Sequence, residues 1–106
     1  MRQIHHFGIP TDVVHENETY LEEAKLYITD AGASANSIEW LRFEPESGMP
    51  EMLKTLPHIA YKVDDLTKEM EGREILLEPF RPLDGLTAAF VIEEGAPIEL
   101  MQFDDV

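Results

Sequence analysis

The sequence predicts an α+β fold: a single domain spanning 1–106, built from two βαβββ modules at about 1–48 and about 57–106, the first with a reduced helix. Three observations predict it. A segment that opens on His occurs twice, as His6-Phe7-Gly8-Ile9-Pro10-Thr11-Asp12 and as His58-Ile59-Ala60-Tyr61-Lys62-Val63-Asp64, at an offset of 52 residues (6 to 58). A second segment occurs twice in the same order, as Ile38-Glu39-Trp40-Leu41-Arg42-Phe43 and Ile98-Glu99-Leu100-Met101-Gln102-Phe103, with Ile, Glu and Phe matched at an offset of 60 (38 to 98). All four segments are short, rich in aromatic and branched residues and bounded by Pro, Asp, Gly or Ser, so they read as strands at 3–9, 37–43, 57–63 and 97–103.

The remaining elements follow from period and punctuation. Asp65 to Gly72 reads as a short helix whose Gly72 suits a left-handed cap. Strands at 74–79 and 87–93 come next, with turns at Pro82-Leu83-Asp84-Gly85 and Glu93-Glu94-Gly95. The second half is therefore β-α-β-β-β. In the first half His6 and Glu39 are 33 residues apart, against 41 between His58 and Glu99, so something is trimmed there. Residues 19–29 fit both an amphipathic helix (Leu21, Ala24, Ile28) and a strand (Tyr20, Ala24, Leu26, Ile28). A strand is preferred, because a helix would leave too few residues before Ile38 to build the sheet of the second half. The helix is then what the trimming removed. Met49 to Leu56 reads as a linker with one helical turn.

Composition excludes whole classes of function. Twenty-two acidic residues against eight Lys and Arg leave a formal charge of -14, which repels nucleic acid and anionic membrane surfaces. No run approaches the roughly 18 apolar residues of a membrane span, and the N-terminal residues lack the apolar stretch of a signal peptide. A cytoplasmic protein is expected. The absence of Cys removes disulfides, thiolate zinc sites and cysteine nucleophiles, leaving metal or acid/base chemistry to His and carboxylates.

Four residues carry that chemistry. Strand alternation puts His6 on one face with Gly8 and His58 on one face with Ala60, so each imidazole has room beside it. Glu39 shares a face with Leu41 and Phe43, and Glu99 shares one with Met101 and Phe103, so each carboxylate ends an apolar stripe. Burying a bare carboxylate costs several kcal/mol unless a cation pairs with it, and this chain has few basic side chains. A bound metal answers that need. Two His and two Glu offer donors suited to Zn, Ni, Co, Mn or Fe. His5, expected on the face opposite His6, stands as its substitute if the register shifts by one. His15, in a polar run, is not expected to be a ligand. Arg42 and Arg81 are the basic residues expected near a cavity.

These motifs resemble the vicinal oxygen chelate superfamily, which includes glyoxalase I, methylmalonyl-CoA epimerase, ring-cleaving dioxygenases and antibiotic-resistance proteins. The resemblance covers essentially the whole chain and is most specific at 57–66 and 95–103. It implies that paired modules form a cupped mixed sheet around a central site, with His6, Glu39, His58 and Glu99 as the ligands of a divalent metal ion. The implied chemistry is chelation of two neighbouring oxygens of a small-molecule substrate and removal of a proton next to a carbonyl, in a lyase or isomerase. Of the two catalytic carboxylates, Glu99 rather than Glu39 is expected to act as the base. The alternative is a non-catalytic member of the fold that sequesters a small molecule. A homodimer is expected of such a fold, and neither nucleic acid nor membrane is expected as a partner.

Overall fold

Strands dominate the computed structural model, which describes residues 1–104; Asp105 and Val106, the end of the expected domain, lie outside the described residues. In chain order the elements are β1 (Gln3–Pro10), β2 (Thr19–Leu21), β3 (Leu26–Ile28), a 3-10 turn (Ala31–Ala33), β4 (Ile38–Phe43), α1 (Glu51–Thr55), β5 (His58–Lys62), α2 (Leu66–Met70), β6 (Glu74–Leu83), β7 (Leu86–Glu93) and β8 (Ala96–Phe103). The eight strands form one curled, mixed sheet in the order β2-β3-β4-β1-β5-β8-β7-β6. Helices are few and short, which makes the fold α+β. β1 runs parallel to β4 and β5 parallel to β8, while β1 and β5 pair antiparallel at the centre.

The strand at 19–29 is not continuous. It folds back as the hairpin β2–β3, in which Tyr20 faces Tyr27 with ring centroids 4.7 Å apart. The reversal occurs at Glu22-Glu23-Ala24-Lys25, where Lys25 takes φ 51°. Cross-strand aromatic pairs stabilise such a hairpin, and the polar residues stay in the turn. Leu26 is buried where β3 meets β4. Between β1 and β2 the chain forms no helix. Residues 11–18 instead lie against the outer side of β4, where His15 stacks on Trp40 at 5.3 Å and Glu18 takes Arg42 in a two-pronged ion pair at 2.8 and 3.0 Å.

Pro50 precedes α1, whose Leu53 is fully buried. Asp65 caps α2 by accepting from the Lys68 N–H, and Gln102 of β8 accepts from the Leu66 N–H. α2 lays Leu66 and Met70 onto Val63, Ala89, Val91, Ile98 and Leu100, the main core. Each fully buried aliphatic side chain there contributes about 1.5–3 kcal/mol. Alternation along β5, β7 and β8 sends Ala60, Leu86 and Met101 to the opposite side of the sheet, together with Phe90 and Glu99.

β6 runs past the expected end at 79 to Leu83 and includes Pro79 and Pro82. It is the last strand in the sheet, where a proline's missing N–H faces no neighbour, and its pairing with β7 shifts register three times. The expected turns are present but tight. Glu94-Gly95 joins β7 to β8 with both residues at positive φ, 54° and 77°, the left-handed pair that suits a two-residue hairpin. Among the described residues no helix is long and apolar enough to cross a membrane.

Candidate metal centre

Strand register alone brings the four predicted residues together. Across β1 and β5, His6 faces Ala60 and Gly8 faces His58. Across the parallel pairs, Gly8 lies beside Glu39 and Ala60 beside Glu99. Each His therefore reaches over a small residue that is flanked, on its other side, by a Glu. The imidazole of His58 fills the space over Gly8, and the two imidazole centroids stand 5.9 Å apart.

His58 Nε2 and Glu99 Oε1 form a buried hydrogen bond at 3.1 Å. His6 Nε2 lies 3.4 Å from Glu39 Oε1 and 3.5 Å from Glu99 Oε1. Neither of these approaches has hydrogen-bond alignment, so His6 Nε2 is a buried polar atom without a partner among the described residues. Such atoms are rare in folded proteins and call for an explanation. One donor atom each from His6, Glu39 and His58 lies within 4.8 Å of the other two, and this buried His-Glu-His group could hold a metal ion. Glu99 stands outside that mutual triad, although its Oε1 touches both imidazoles. The donor set fits a divalent ion: imidazole nitrogens, carboxylate oxygens, no thiolate, and one imidazole nitrogen left unpaired between two acids.

The electrostatics point the same way. Burial alone would push the His6 imidazole down, but the carboxylates of Glu39 and Glu99 overcome it and raise it to about 9. Burial alone would push the Glu99 carboxyl up, but His58 and His6 hold it down at about 2. The side that faces the group is apolar. Phe90 meets the His58 ring edge-on at 5.1 Å, and Phe80 stacks behind Phe90 at 6.5 Å.

Two expectations about neighbouring residues need correction. His5 does not point away from His6. The β1–β5 register slips between Ile4 and His6, and the resulting bulge brings His5 Nδ1 to 2.8 Å from His6 Nδ1. Arg42 and Arg81 do not serve the site. Arg42 alternates to the face opposite Glu39, where it pairs with Glu18 and lies 4.1 Å over Tyr27, and Arg81 pairs with Asp104 on an exposed edge. His15 stays with Trp40, as a non-ligand should. Phe90 and the bulged His5 are the contributors that sequence reasoning missed. The adjacent His5-His6 pair was the visible signal, but the bulge that gives it meaning depends on the partner strand.

No family model matches the chain, and no curated protein matches it. A solved structure, the hypothetical protein BH1468 from Bacillus halodurans C-125, superposes with a TM-score of 0.72 at 16% identity, covering 99% of this chain and 96% of that one. At that identity the likeness shows the fold.

Proposed function

We propose that the chain is a metal-dependent lyase or isomerase of the vicinal oxygen chelate type, acting on a small oxygenated substrate. The observation that carries this reading is the buried Nε2 of His6, unpartnered among the described residues and aimed between two carboxylates. In this reading His6, Glu39, His58 and Glu99 are the ligands, and the strand order is a duplicated module. β4, β3 and β2 follow β1 in the sheet as β8, β7 and β6 follow β5. On this reading a pseudo-twofold relates the two halves, and each half contributes one His and one Glu.

A divalent ion bound here would supply Lewis-acid stabilisation to two neighbouring substrate oxygens as negative charge develops beside a carbonyl. The protein's own residues do the rest. Phe90 and its neighbours exclude water from one side of the group, which strengthens every charge interaction within it. Glu99 is the base. In the metal-free protein His58 and His6 keep its carboxylate ionised against the upward push of burial, and an ionised carboxylate that loosens from a bound cation would be free to accept a proton. Glu39, less buried than Glu99, holds its place beside His6.

The charge of -14 disfavours polyphosphate-bearing substrates such as coenzyme A thioesters, so a neutral or weakly charged compound is the substrate class we propose. The working unit we propose is a cytoplasmic homodimer. The test is hydrogen–deuterium exchange at the carbon next to a carbonyl across a panel of 2-oxo and 2-hydroxy compounds, with metal-loaded protein. Exchange that disappears in Glu99→Gln while that variant still binds some metal supports the reading. Exchange retained in Glu99→Gln removes Glu99 as the base, and no exchange by the metal-loaded wild type favours a protein that only binds its ligand.

A further inference from the structure

Adjacent histidines on a strand ordinarily face opposite sides of the sheet. On β1 they do not. Ile4 faces Tyr61 and His6 faces Ala60, so His5 is an extra residue with no counterpart on β5. A bulge of this kind re-aims side chains and is common beside functional sites. It sets the His5 and His6 rings edge to face, with centroids 5.1 Å apart and the two Nδ1 atoms 2.8 Å apart. The His5 ring also rests on Phe103, at 5.6 Å.

The direction of the hydrogen bond follows from the site. A neutral imidazole that offers Nε2 to a cation keeps its proton on Nδ1. His6 Nε2 lies between Glu39 and Glu99, where a cation would displace its proton and leave the one on Nδ1, and the acceptor within reach of His6 Nδ1, with or without the cation, is His5 Nδ1. His5 must then carry its own proton on Nε2. We propose that His5 is a positioning residue of the metal centre, fixing the tautomer and the ring orientation of His6 through this one hydrogen bond. The inference rests on the metal-centre reading above. His58 is held differently: its Nδ1 has no hydrogen-bond partner among the described residues, and its ring is placed by packing over Gly8 and against Phe90. The centre therefore has one ligand set by packing and one set by an outer polar partner, the kind of partner whose loss weakens metal sites.

The experiment compares the full-length wild type with His5→Phe, which keeps a ring for Phe103 but removes the acceptor, and with His5→Asn, whose Oδ1 replaces Nδ1. Nitrogen NMR of the metal-free protein reports which imidazole nitrogens carry protons. Titration with Co(II) against a competing chelator, read from the visible bands, reports affinity and ligand geometry. The expected result is an unprotonated His5 Nδ1 facing a protonated His6 Nδ1. Co(II) affinity should fall about 10–100-fold in His5→Phe, with altered bands, and recover in His5→Asn. A protonated His5 Nδ1 overturns the inference and leaves the metal centre standing. So does a His5→Phe variant that matches wild type, or a His5→Asn variant as weak as His5→Phe. Wild-type protein that takes up no Co(II) overturns the metal-centre reading itself, and the positioning role with it.

Discussion

The His58 imidazole occupies the space that a side chain on Gly8 would need. A Cβ added at Gly8 would come within 2.1 Å of His58 Cε1 and 2.4 Å of Nε2, the atom that meets Glu99. Gly8 also lies beside Glu39 on β4, so the His58 ring covers the residue that separates β5 from Glu39.

Gly8→Ala is therefore expected to disturb the centre more than any change of its size elsewhere on β1. His58 is buried and backed by Phe90, so its ring cannot swing aside without repacking. Overpacking of this kind costs about 1–3 kcal/mol, to be measured by urea unfolding of the metal-free protein. Metal affinity should fall in the same variant, since His58 Nε2 is displaced. Unchanged stability together with unchanged metal affinity would mean that the ring does not sit over Gly8.

Metal uptake is expected to depend on pH through His6. With the imidazole raised to about 9, His6 carries a proton near neutrality that a cation at Nε2 must displace. Apparent affinity should thus rise about tenfold per pH unit on the way up to 9 and flatten above it. Isothermal titration with Zn at several pH values checks the slope, and His6→Asn should remove it.

The stability of the metal-free protein carries the same signature with two limbs. The His6 contribution is fully present below its ordinary value of 6.5 and is lost as pH rises through about 9. The Glu99 contribution is present above its ordinary 4.5 and is lost as pH falls through about 2. The cluster thus adds most between those ordinary values. Urea midpoints across the range should decline on both sides, with Glu99→Gln flattening the acid limb and His6→Asn the alkaline one.

His15→Ala serves as the contrasting case. His15 touches Trp40 on the outer face of β4, so its removal should cost about 0.5–1.5 kcal/mol of stacking and leave metal affinity unchanged. A large loss of metal in His15→Ala would place His15 at the centre, contrary to the geometry.

Much of this was legible in the sequence because alternation and repetition are local and strict. The two His segments and the two Ile-Glu segments are strands, and His6, Glu39, His58 and Glu99 converge because their registers place small residues opposite each His. Gly72 signalled the end of α2 and takes φ 72° just past it. What escaped is what depends on a partner strand. Residues 19–29 satisfy a continuous apolar pattern, yet the left-handed Lys25 turns them into a hairpin that only the Tyr20–Tyr27 pair makes worthwhile. The bulge at His5 leaves no mark in composition, since it is defined by the residue count on β5. Arg42 was misplaced because its partner, Glu18, lies in a connection with no period to read.

Elemental analysis of untagged protein purified without chelator, beside a His58→Ala, Glu99→Ala double variant, tests for the bound metal itself. Near-stoichiometric metal is expected in the wild type and its loss in the variant, with both proteins folded. A wild type that neither carries nor takes up Zn, Ni, Co, Mn or Fe, or a double variant that holds as much metal as the wild type, would contradict the metal-centre reading.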